Sequence, residues 1–238
     1  MAHLGAGTER HSGMVGFASG RLAVDLDCNR FMLREWLAFV FLDRQGLEFS
    51  KGFCMNKVTS EVMVQDTLRW LERAVIGLNL CPFAKSVYVK GQVHCVVSDA
   101  DDLETLRDDL LRELNDLVSL DASVRDTTVL VIQNLLHDFY DYNDFLNVAD
   151  DCLLALDLEG EIQIASFHPH YQFGGTEVDD IENFTNRTPY PTLHLLREES
   201  VERAVATEGG DAEAIVERNI ATLRELGAAG LQALLSKP

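Results

Sequence analysis

The chain has 238 residues, 47% of them hydrophobic and 25% charged, and a formal net charge of −19. That length and apolar content can bury a full core without a metal or disulfide to staple it. The negative charge repels a phosphate backbone and argues against nucleic acid as a partner. The longest apolar run near the start, Trp36 to Leu42, is far shorter than the roughly 18 residues a membrane span needs, so no membrane association is expected.

Cys28, Cys54, Cys81, Cys95 and Cys152 are odd in number and widely spaced, with no CxxC pair, which fits reduced thiols in a cytoplasmic protein. Residues 1–54 show no sustained period, whereas a clean helical pattern follows Met55. The expectation is that Met55 is the natural start, that 1–54 is a non-native or loosely ordered extension, and that 55–238 form a single α/β domain.

Leu68, Leu71, Val75 and Leu78 recur at helical spacing, so Val62 to about Leu80 reads as an amphipathic helix. In the following NLCPFAKS, Pro82 suits the first position of a new helical turn. Gln92 to Val97 reads as a strand. Asp101 with Glu104 resembles a capping box for a helix whose seam is Leu103, Leu106, Leu110, Leu114 and Leu117. Thr127 to Ile132 is the continuous β-branched and aliphatic run of a strand buried on both faces. A helix over about Asn143 to Leu156, a strand over Glu161 to Phe167 and a further strand over Thr192 to Leu196 follow. Two helices close the chain, Glu198 to Ala206 and, with Asp211 as cap, Ala212 to about Leu226. This alternation predicts an α/β fold with a small, mainly parallel sheet of three or four strands and flanking helices.

The stretch from Ile164 to Arg197 gathers three of the seven histidines, three of the five prolines, Gly174-Gly175, Asp179-Asp180 and two arginines. It leaves a strand's carboxyl end, where ligand sites in such sheets collect. Its aromatic residues argue against disorder, which makes it the candidate site. No GxGxxG or GxxxxGK[ST] motif supports a dinucleotide or P-loop reading, so the cofactor is left open.

Four sets of side chains could carry chemistry. Cys81, beside backbone N–H groups at a helix start, could be a thiolate nucleophile, and a free cysteine is as often simply buried. His168 or His194 could act as its proton partner. Arg187, with Lys85 assisting and Tyr171 and Tyr190 as aromatic wall, could clamp a carboxylate or phosphate, against the alternative of an ordinary ion pair. The H-x-H pair His168 and His170, completed by Asp179, is a weaker metal alternative.

The pieces GLNLCPFAK, YNDFL, IASFHPHYQF and NRTPYPTLHLLRE resemble those of a largely bacterial family catalogued as domain of unknown function 1415. The resemblance runs from about Val62 to about Leu231 and is carried at Cys81, Phe167, His168, Arg187 and His194. It implies a soluble single domain and no particular activity. Three readings remain: an enzyme acting on a small anionic metabolite through a Cys/His site, a non-catalytic ligand-binding or regulatory domain, and a metal-dependent hydrolase. The first requires the Cys81 sulfur to lie near the His168–His194 loop at a pocket mouth.

Overall fold

The computed structural model describes residues 59–207 and 209–236, so the expected extension and the Met55 start lie outside the described residues. Thr59 Oγ1 accepts from Val62 N–H and opens α1, Ser60–Trp70. The helix widens into a π-type turn over Leu71–Ile76, and Asn79, in the left-handed region (φ 53°), ends it. Cys81 is then extended and Pro82 takes the first position of α2, Pro82–Val89, as its fixed φ and missing N–H favour.

The remaining elements are β1 (Val93–Ser98), α3 (Leu103–Ser119), β2 (Thr127–Ile132), α4 (Phe139–Ala155), β3 (Ile162–Phe167), β4 (Thr192–Arg197), α5 (Glu198–Thr207) and α6 (Ala212–Ser236). Several boundaries differ from the sequence expectation. Asp102 caps α3 through Thr105 N–H (2.8 Å), while Asp101 instead accepts from Asn134 Nδ2 (3.0 Å). Leu103 is exposed, so the buried seam starts at Leu106. Asp138 caps α4 and starts it about a turn before Asn143. The last helix runs on past Leu226, but Gly227 (φ 68°, ψ 166°) breaks it there into two.

The four strands lie in the order β1-β2-β4-β3. Only β1 and β2 pair in parallel, and β4 is antiparallel to both β2 and β3, so the sheet is mixed rather than mainly parallel. The reason is the β3–β4 connection, which carries a 3-10 turn over Ile181–Asn186 but no crossover helix, so the chain returns antiparallel and slots between β2 and β3. The carboxyl ends of β1, β2 and β3 and the start of β4 consequently share one edge.

Leu130, Ile132, Leu193 and Leu195 face α3 and α4 in the main core. On the other face Val129 and Val131 meet Met63 of α1, while Trp70, Leu71 and Ala74 pack with Leu223 and Leu231 of α6. Strand β2 is buried at every position, as its unbroken apolar run predicts. Among the described residues no helix is long and apolar enough to cross a membrane.

Candidate functional site

Residues 168–191 have little regular structure, and polar side chains supply what secondary structure would. Asn183, fully buried, accepts from Phe173 N–H (2.9 Å) and donates to Glu177 O (2.7 Å). Tyr142 of α4 ties the two stems: its hydroxyl donates to Thr192 O (2.7 Å) and accepts from Phe167 N–H (3.0 Å). Gly175, exposed at φ 81°, serves a turn.

His168 is fully buried. Leu136 O can only accept, so Nε2 carries the hydrogen and donates to it (3.0 Å), while Nδ1 accepts from His170 N–H (3.0 Å). Both ring nitrogens are thereby committed to backbone, and burial lowers the imidazole pKa further. His170 and Asp179 are exposed, and among the described residues no group of three or more His, Cys, Asp or Glu side chains is placed to hold a metal ion. The geometry gives His168 a part in building the loop, and gives the H-x-H pair no metal-binding arrangement.

Arg187 directly follows the 3-10 turn. Its Nε donates to Tyr171 O (3.1 Å), its Nη2 to Val178 O (2.6 Å), and the guanidinium carbon sits 4.4 Å from the centre of the Phe184 ring. Burial lowers its pKa, with Asp179 opposing, yet no carboxylate among the described residues forms an ion pair with it. The group lines a cavity of about 500 Å³ whose other walls include Trp70, Ala74, Leu80, Pro169, Pro189, Leu231 and Leu235. Thr185 and Thr188 also face it, but their hydroxyls donate to Glu182 O (2.8 Å) and Tyr190 O (2.5 Å).

The other expected site residues stand apart from this cavity. Cys81 packs with the Trp70 and Phe167 cluster but does not line the cavity, whereas its neighbour Leu80 does. Burial raises the thiol pKa and outweighs the opposing N–H groups of Ala84 and Phe83, so the helix-start geometry does not lower it. Lys85 is exposed on α2. Tyr171 contributes its carbonyl to Arg187 while its ring packs at a tilt against Phe139 (5.2 Å). Tyr190 donates to Asp66 of α1 (3.0 Å), and burial lifts its phenol to about 12. Arg197 leaves the loop altogether and donates to Leu120 O (2.7 Å) and Arg125 O (3.3 Å) at the far edge of the sheet.

His194 points from β4 onto the face that carries Phe167, whose ring is 6.1 Å away. Thr127 Oγ1 gives its one hydrogen to Leu195 O (2.7 Å), so His194 Nε2 carries a hydrogen and donates it to Thr127 (2.8 Å). Burial pushes its pKa down to about 4 from 6.5. The unfolded chain therefore takes up a proton that the folded state resists. The contribution is intact above pH 6.5 and is lost as pH falls toward 4. Denaturant unfolding should show about 2 to 3 kcal/mol of His194-dependent stability disappearing between pH 7.5 and 4.5. The pH dependence of His194→Gln should be flatter by that amount, and identical slopes would mean that the ring titrates normally.

Sequence reasoning did not find Trp70 or the α6 leucines. Trp70 had a visible signal, a large aromatic at helical spacing from Ala74, but nothing local says that this face meets the loop. No match was found among curated proteins or among solved structures. Residues 62–233 match a family described as protein of unknown function, DUF1415, and cover every element from α1 to most of α6; the chain belongs to that family.

Proposed function

We propose that this protein is a non-catalytic ligand-binding domain that takes a small anion into the cavity beneath Arg187. One observation carries the reading: a guanidinium without an ion-pair partner among the described residues lines the largely apolar cavity. In a chain of net charge −19, such a group is a local focus of positive potential against a background that repels anions. The thiol-enzyme reading has less support, because Cys81 lies outside the cavity with a raised pKa and His168 has no free nitrogen.

The test is a thermal-shift screen of small carboxylates and phosphates on the wild type and Arg187→Gln. A true ligand at a hundredfold excess over its Kd adds about 2.7 kcal/mol, or roughly 5 to 10 °C for a domain of this size. The expected result is at least one anion that stabilises the wild type by this amount and leaves the variant unmoved. If every stabilising anion acts alike on both, Arg187 is not the anion's partner and the reading fails.

A further inference from the structure

We infer that the ligand of this cavity is an amphipathic monocarboxylate, with an apolar body buried against Trp70 and Leu231 and one carboxylate on the outer edge of Arg187. This rests on the reading of the cavity as an anion site and adds the ligand's chemical class. The geometry limits the charge first. Among the described residues Arg187 is the one cationic side chain on the lining, and its Nε and one Nη2 hydrogen are already committed to Tyr171 O and Val178 O. What remains is the two Nη1 hydrogens and the second Nη2 hydrogen, which together offer one fork, wide enough for one carboxylate but too small for a polyphosphate.

The rest of the lining limits the body. Among the described residues, with the Thr185 and Thr188 hydroxyls donating to backbone, the lining side chains provide only one hydrogen-bond donor besides Arg187, the single indole N–H of Trp70. A sugar or other polyhydroxylated anion would bury several hydroxyls against a lining whose described side chains offer that one indole N–H besides Arg187, which is costly. An alkyl or aryl body instead gains by leaving water against Trp70, Leu231 and Leu235. About 500 Å³ corresponds to the volume of roughly fifteen waters, so a ligand of about that many non-hydrogen atoms fits.

The experiment is calorimetric titration of the full chain with straight-chain monocarboxylates from butanoate to decanoate, their primary amides, citrate and inorganic phosphate. Affinity should rise about fourfold per methylene, and each amide should bind at least tenfold more weakly than its acid. Arg187→Gln should erase the difference between acid and amide. Ala228→Phe, which adds a bulky side chain at an exposed position of the lining and leaves Arg187 itself in place, should abolish the chain-length dependence even if the Arg187 variant does not fold. Citrate or phosphate binding more tightly than octanoate, in an Arg187-dependent way, would overturn the ligand class and leave the anion site standing. If no anion in the panel binds, or all bind alike with and without Arg187, both the class and the anion site are lost.

Discussion

Glu113→Ala is expected to cost about 3 to 5 kcal/mol of stability, because it strips the buried Arg125 guanidinium of its direct partner and leaves it only the more distant Asp116 carboxylate at 3.8 Å. Glu113 and Arg125 are 4% and 7% exposed and form a direct ion pair, while Arg125 Nε donates to Thr128 Oγ1 (2.9 Å). The pair belongs to a buried polar layer at the sheet edge away from the cavity, where Ser200 donates to Asp126 (2.7 Å) and Arg197 closes onto α3 carbonyls. Urea unfolding measures the cost. The double variant Glu113→Leu with Arg125→Met should recover most of it, since an apolar pair of similar volume removes both charges at once. A loss under 1 kcal/mol for the single variant would show that water or the Asp116 carboxylate takes the place of Glu113.

Tyr142→Phe should lose about 2 to 4 kcal/mol while leaving the packing volume almost unchanged. The phenol is completely buried and serves two groups, Thr192 O and Phe167 N–H, which its removal leaves without that partner. Because these groups sit where the candidate loop leaves and rejoins the sheet, the variant should also weaken binding in the cavity. Urea unfolding and a ligand titration on the same sample read both effects. A variant as stable as wild type would mean that water replaces the hydroxyl, and the Tyr142 tie would then have no energetic weight.

Features that depend on short-range chemistry were legible in the sequence. Pro82 opening α2, Asp211 capping α6 (3.1 Å to Ala214 N–H) and the fully buried β2 each follow from a few adjacent residues. The loop stood out in the sequence because its composition is unusual, and Arg187, which the structure places on a cavity wall, because cations are scarce. What was not legible depends on which surfaces meet. A histidine reads the same in sequence whether its nitrogens are free or, like those of His168, both tied to backbone. The placement of β4 between β2 and β3 is a property of sheet order that no local pattern encodes. Glu113 was readable in principle, since it interrupts the Leu110–Leu114–Leu117 seam on the buried side of α3, where an acid requires a partner.

The break at Gly227 also bears on how the cavity is reached. It leaves 228–236 as a helix of about two and a half turns, shorter than a helix that persists unaided in water. Its helicity therefore depends on Leu231, Leu234 and Leu235 packing against Trp70 and Leu71, and two of those leucines are also cavity wall. Local melting of the chain's last turns and exposure of the cavity are thus one equilibrium. A molecule seated against Leu231 and Leu235 would raise the free energy of that opening, slowing amide exchange in 228–236 ahead of the rest of the protein.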